Sequence, residues 1–258
     1  MGREGFMSVF LKIIVILFVF VCVPGFSSTT TKVYTVGVEA IPFMPYSEVV
    51  NKKYRGILRD ILDSFAEKQG ISFKYKPLPI KRLYTDFYNK KLDFKLPANE
   101  YWQKGIKQKR KLTIRYSKPL VYFLDGLMVK GSKMGVSIDG VKKIGVVSGF
   151  TPWEYLGKIK EKKISKRENP SIVGLLEQGL LGRVDAVYVN VLVGKHYLRE
   201  VLKKEKELVF AKGLPHTKSA YHIATQKHVE VIEKLNLYLE KNQDKIAELK
   251  NKYKIKEL

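Results

Sequence analysis

The residues best typed and spaced for chemistry lie in Lys143–Leu156, KIGVVSGFTPWEYL. Ile144–Val147 is a short β-branched run of the kind that forms a buried strand. Thr151, Pro152 and Glu154 then fall at the N-cap, first and third positions of a following helix, which predicts a capping box. The unpaired amides at such a helix start suit an anion or a carbonyl oxygen. The plainer expectation is that Thr151 caps its helix and does nothing more. Other constellations are weaker. The four histidines, His196, His216, His222 and His228, show no i, i+4 pair with a glutamate between, so no metal site is expected. GVVSG is not the G-x-S-x-G of a nucleophile turn, and no glycine-rich phosphate loop is present. Asp60 and Asp63 stand three apart on a face predicted to be solvated. Cys22 is the single cysteine, which leaves no thiolate or disulfide chemistry once an N-terminal signal is removed. No cofactor is expected.

The elements that must position these residues alternate. Val33–Val38 reads as a strand. A loop, EAIPFMPYSEVVNKKYRG, leads to GILRDILDSFAEKQG, where Ile57, Leu58, Ile61, Leu62, Phe65 and Ala66 recur at helical spacing and Gly70 stands at the C-terminal cap. Ile71–Lys76 is a second strand, a helix is expected near Arg82–Asn89, and Leu92–Leu96 is a third strand. A second unit follows Leu124–Lys130: strand Ile144–Val147, helix Ile172–Leu181, strand Ala186–Val189, helix Val191–Lys203 and strand Glu207–Ala211. The chain returns through Ala220–Thr225 and ends in one long amphipathic helix. Helices between strands predict α/β units with parallel sheets.

Lys and Arg number 48 against 25 Asp and Glu, a formal charge of +23. The lysines are spread as KK and KEK units, which reads as a solvated surface rather than a nucleic-acid arm. Nucleic acid is not an expected partner. Arg3 and Lys12, the apolar run Ile13–Val23, and Gly25 and Ser27 predict a cleaved secretory signal over residues 1–27, hence a periplasmic protein. Val21 before Cys22 argues against lipid attachment, so no stable membrane anchor is expected.

Six segments together carry a family resemblance: YRGILRDILDSFAEKQG, KKLDFKLPAN, IRYSKPLVYFLDGLMVKG, KIGVVSGFTPWEYL, GLLGRVDAVYVN and IEKLNLYLEKNQDKIAELKNKY. In order and spacing the chain resembles the ABC-transporter solute-binding proteins that include the polar amino-acid binders. The resemblance implies an α/β fold of two Rossmann-like lobes joined by two crossing strands. Lobe I would hold residues 28–127 plus 213–258, and lobe II residues 128–212. It implies a monomer that closes on a small-molecule ligand and serves an ABC transporter permease. It implies a binder rather than an enzyme, the alternatives being a cyclohexadienyl or arogenate dehydratase-like enzyme and an orphan sensor domain. By this resemblance Ser148, Phe150 and Thr151 form the turn that receives a ligand carboxylate, and Phe43 and Tyr46 lie over the ligand. Departures matter as well. Family members carry a carboxylate-clamping arginine where this chain has PANEYW, offering Asn99 and Trp102 instead. They carry an ammonium-binding aspartate where this chain has Asn190. Arg82 is the expected replacement cation, and Asp185 looks like a structural residue of the strand turn. The expected ligand is therefore a small polar or carboxylate-bearing solute other than an ordinary α-amino acid.

Overall fold

The computed structural model describes residues 31–255, and the expected signal segment lies outside them. Its first strand, β1 (Lys32–Glu39), buries Tyr34, Val36 and Val38, as a central strand covered on both faces must. A short hairpin follows, β2 (Glu48–Val50) and β3 (Lys53–Arg55), and then α1 (Ile57–Gln69). The six predicted apolar residues of α1 are all buried, and Gly70 ends the helix in the left-handed region at φ 63°. Next come β4 (Ile71–Leu78), α2 (Ile80–Tyr88), β5 (Phe94–Ala98), the short α3 (Lys104–Lys109) and β6 (Arg115–Tyr116). β7 (Val121–Lys130) leaves this unit and leads to β8 (Lys143–Val147), α4 (Leu156–Lys160), β9 (Ser165–Asn169) and α5 (Ile172–Leu180). β10 (Ala186–Asn190), α6 (Val191–Glu200), β11 (Leu208–Phe210) and β12 (Thr217–Thr225) follow, and α7 (Val229–Lys241) and α8 (Gln243–Lys252) end the chain.

Apart from β2 and β3, which pair only with each other, the strands form one sheet in the order β4-β1-β5-β12-β7-β10-β8-β9, with β11 on β7 and β6 on β12. β4, β1 and β5 are mutually parallel, as are β10, β8 and β9. Between these triplets lie β7 and β12, antiparallel to each other from Val121↔Tyr221 to Asp125↔Thr217. β12 then changes neighbour: His222–Thr225 pairs with β5. β7 does the same, pairing with β10 from Asp125 to Val129. Two strands thus run from one parallel triplet into the other.

Three expectations need correction. The capping box does not form: Trp153–Tyr155 is a single 3₁₀ turn without a side-chain cap, α4 holds only five residues, and Glu154 instead accepts a hydrogen bond from Thr217 Oγ1. The long C-terminal helix is two helices. At Asn242 the side chain folds back and donates to Tyr238 O at 2.8 Å, the local backbone competition that makes asparagine a helix interrupter. β9 went unread because its SKREN sequence is charged and largely exposed, as suits an edge strand, and carries no apolar alternation. Asp185 does have the structural place expected, accepting the amides of Lys142 and Lys143 at 3.0 and 2.9 Å.

One glycine fixes the loop after β1. Gly56 precedes α1 at φ 120°, ψ 172°, and a Cβ there would collide with the Tyr46 backbone. That close approach lets the Pro45 and Tyr46 carbonyls accept the amides of Ile57 and Leu58, both at 3.2 Å. Two amides that a helix start leaves open are satisfied, and Tyr46 is locked in place. Gly56→Ala is expected to cost about 2–3 kcal/mol through strain in a glycine-only region plus the clash, measured by urea unfolding. A loss below about 0.5 kcal/mol would show that the loop yields freely.

Candidate functional site

β7, β10 and β12 line up the centre of the candidate site. Asp125 faces Thr217 across one ladder and Asn190 across the other, and directly opposed residues present their side chains on the same face. Tyr188, two residues before Asn190, shares that face. Asn190 Nδ2 donates to Asp125 Oδ1 at 3.0 Å, while Asn190 Oδ1 caps α6 by accepting the Val193 amide at 3.2 Å. Thr217 Oγ1 reaches Glu154, so two carboxylates flank one threonine. Burial drives the Asp125 carboxyl up, the Asn190 hydrogen bond opposes that, and Glu154 adds to the rise; it comes to about 7.

Aromatic rings surround this row. Tyr46, with no exposed surface, lies edge-on to Tyr221 at 4.9 Å and donates to Tyr122 O at 3.3 Å. Tyr221 stacks on Phe123 at 4.4 Å and meets Trp102 at 6.1 Å. Phe43 stacks with Tyr46 at 6.1 Å and touches Phe150 at 5.9 Å, which joins the loop after β1 to the turn after β8. The hydroxyls of Tyr46 and Tyr221 are pushed up, first by burial and then by Asp125, so both stay neutral donors.

Of the nine residues expected at the site, the structure thus groups Phe43, Tyr46, Phe150, Asn190 and, through Tyr221, Trp102. Asn99 is buried beside them, but its amide is spent on the scaffold: Nδ2 donates to Ser219 Oγ and Ala220 O, both at 2.9 Å, and Oδ1 accepts the Tyr101 amide. Ser148 is exposed and its amide donates to Asn169 O at 2.8 Å, while the Phe150 amide donates to Val147 O at 2.9 Å. Two of the four amides in the turn Ser148–Thr151 are therefore already used, and α4 is too short to add a helix-start field of any size. Arg82 stands apart on α2, exposed, with Nε 3.2 Å from both oxygens of Asp86.

Sequence reasoning gave Glu154 only a capping place and did not single out Asp125, Tyr188 and Tyr221, nor Lys95 and Glu39. Lys95 is 2 % exposed, donates to Pro97 O, and sits over the rings of Tyr84 at 4.4 Å and Trp102 at 5.5 Å. Burial lowers its ammonium to about 8 although Glu39 pulls the other way. The cavity beside it, lined by Tyr84, Tyr88 and Trp102 among others, measures about 10 Å³, room for at most one water. The signal for both ions was available: Asp125 and Lys95 each interrupt an otherwise apolar strand, VYFLDGLMVK and FKLPA.

No protein-family model and no curated protein matches the chain. Solved structures do. An ancestral arginine-binding protein bound to arginine superposes with a TM-score of 0.64 at 23% identity, over 86% of this chain and 97% of its own. An amino acid ABC transporter substrate-binding protein from Streptococcus pneumoniae bound to L-arginine gives 0.62 at 19% identity, over 87% and 97%. An ancestral amino acid-binding protein that is a precursor of cyclohexadienyl dehydratase gives 0.63 at 18%, over 86% and 94%. At these identities the likeness fixes the architecture, and the chain has the type II periplasmic binding protein fold, two α/β lobes joined by two crossing strands.

Proposed function

We propose that the protein is an exported solute-binding protein that captures a small polar solute between its lobes and hands it to an ABC transporter permease. The observation that carries this reading is the meeting of Phe43 and Tyr46 from one parallel unit with Phe150 and Asn190 from the other. They meet where β7 and β12 cross. A concave, mostly aromatic wall with a few fixed polar groups is what a small-ligand site requires. Lobe I would comprise residues 28–127 plus 213–258 and lobe II residues 128–212, closing by a hinge in β7 and β12. Export to the periplasm rests on residues 1–27, and no helix among the described residues is long and apolar enough to cross a membrane. The similar proteins bound to arginine support the substrate scale.

A second reading, turnover rather than binding, draws on one observation. Asp125, close to half-protonated at neutral pH beside Glu154, has the poise of a general acid. One experiment separates the two. Native mass spectrometry of protein purified from its own host should show a co-purified small molecule that is released unchanged, and solution scattering should show a smaller radius when that molecule is re-added. Recovery of a chemically altered molecule would favour the enzyme. An unchanged radius at saturation would sink the hinge.

A further inference from the structure

We infer that the small cavity beside Lys95 is a binding site for a single monatomic anion, a halide such as chloride. The site lies between α2, β5, α3 and β6 and does not depend on which solute the protein carries.

The walls of this cavity include Tyr84 and Tyr88 of α2, Lys95 of β5, Trp102, Lys107 of α3 and Tyr116 of β6. Tyr88 is 6 % exposed, and its buried hydroxyl has no hydrogen-bond partner among the described residues. A buried hydroxyl without a partner is uncommon and costly, so it marks a place where a polar group is missing. The sign of that group follows from what else faces the space. Lys107 Nζ donates to Glu100 O and to the Tyr116 hydroxyl, the latter at 3.0 Å, which leaves one of its three N–H groups free. The Tyr116 oxygen accepts that bond and still has its own hydrogen to give. Burial lifts Tyr88 and Tyr116 to about 12 each, so both keep that hydrogen at neutral pH. Lys95 donates to Pro97 O and otherwise meets the rings of Tyr84 and Trp102.

Charge points the same way. Lys95 and Lys107 both line the cavity and repel each other. Arg110 adds a third cation, over the Tyr88 ring at 5.6 Å. Glu39 acts on Lys95 and Glu100 on Lys107, but neither carboxylate lines the cavity. Like charges gathered at a buried place are relieved by an ion of the opposite sign. A water also fits by size, but it has two hydrogens to donate, and the lining side chains offer no free acceptor except phenol oxygens. An anion accepts from every group here and donates to none. At about 10 Å³ the cavity admits a monatomic ion and excludes phosphate, sulfate or a carboxylate. Such an ion also offsets part of the charge that Lys95 buries.

The test compares sodium chloride with sodium gluconate, whose anion is too large for the cavity, at equal ionic strength on the full mature protein. Urea unfolding at pH 7 is the readout. Chloride should stabilise saturably, raising the folded-to-unfolded ratio about tenfold at ten times its dissociation constant. Tyr88→Phe removes one donor and keeps the packing. In gluconate it should be at least as stable as the parent, because there the hydroxyl has nothing to bind, and it should lose most of the chloride response. Lys107→Met should lose that response as well. A crystal of the unaltered protein soaked in sodium bromide should show an anomalous peak in the cavity beside Tyr88 and Lys107, and it decides the matter if neither variant folds. A chloride effect that never saturates, or that is the same in both variants as in the parent, would overturn the anion site. So would a bromide-soaked cavity holding water and no anomalous signal. Equal destabilisation by Tyr88→Phe in the two salts would show a purely structural hydroxyl and would overturn it too.

Discussion

Asp125→Asn is expected to stabilise the ligand-free protein by about 3 kcal/mol at pH 8 and by almost nothing at pH 4. The carboxyl rises from its ordinary 3.8 to about 7 in the folded chain, chiefly through burial. Each unit of such a shift is worth about 1.36 kcal/mol, giving about 4 kcal/mol before allowance for the side chain's partial access to water. The sign follows from proton uptake. Between about pH 4 and pH 7 the folded state binds this proton more tightly than the unfolded state does, so stability falls as the pH rises through that window. Above about pH 7 the whole cost of the buried charge is present; below about pH 4 it vanishes. Asparagine keeps the oxygen that accepts from Asn190 Nδ2 and removes only the charge. Urea unfolding of both proteins at pH 4, 6 and 8 reads the result directly. A loss at pH 8 would mean that an unrecognised cation already compensates Asp125, and a gain that does not vary with pH would mean that the charge is not its source.

The parallel units were legible because their evidence is local. α1 shows six apolar residues at helical spacing with Gly70 behind them, and every one is buried. β1, β5, β8 and β10 are short β-branched or apolar runs, which is how a strand covered on both faces must read. The meeting of Phe43, Tyr46 and Phe150 was legible too, since they lie in loops that the element order brings to the ends of strands. What failed was reasoning from one segment about contacts made with another. Thr151, Pro152 and Glu154 satisfy every local rule for a capped helix, yet Glu154 is drawn to Thr217, 63 positions away, and the cap is lost. Arg82, exposed on α2, pairs with Asp86 one helical turn along, a contact its own segment does contain. Asp125 stands beside Asn190 on the neighbouring strand, a ladder partner that only the register reveals. An ion inside an apolar strand is the local sign of such a distant contact, because burying a charge is expensive enough to need a reason.

The second such ion gives the other large expected effect. Lys95→Met is predicted to stabilise the protein by about 1 kcal/mol at pH 7, with the gain fading toward pH 10.5. Lys95 is fully enclosed, and burial brings its ammonium from 10.5 down to about 8, with Glu39 opposing and Lys107 adding to the fall. A base with a lowered value is protonated more readily when unfolded, so stability rises with pH between about 8 and 10.5, and below about 8 the full cost applies. That cost is about 3 kcal/mol at 1.36 kcal/mol per unit. Methionine is a volume match without charge, and it forfeits the bond to the Pro97 carbonyl and the ring contacts with Tyr84 and Trp102, about 2 kcal/mol together at the low end for such contacts. The comparison that decides the sign is with Glu39. A contact ion pair would make single removal destabilising, because the partner would be left buried and uncompensated. Glu39 acts on Lys95 only through space, and its attraction is already contained in the depressed value, so removing the lysine should yield a net gain. Thermal and urea unfolding at pH 7 and pH 10 measure it. A loss of more than about 1 kcal/mol at pH 7 would show that Lys95 and Glu39 behave as one stabilising pair. In that case Lys95→Met combined with Glu39→Gln should restore stability where the single change does not.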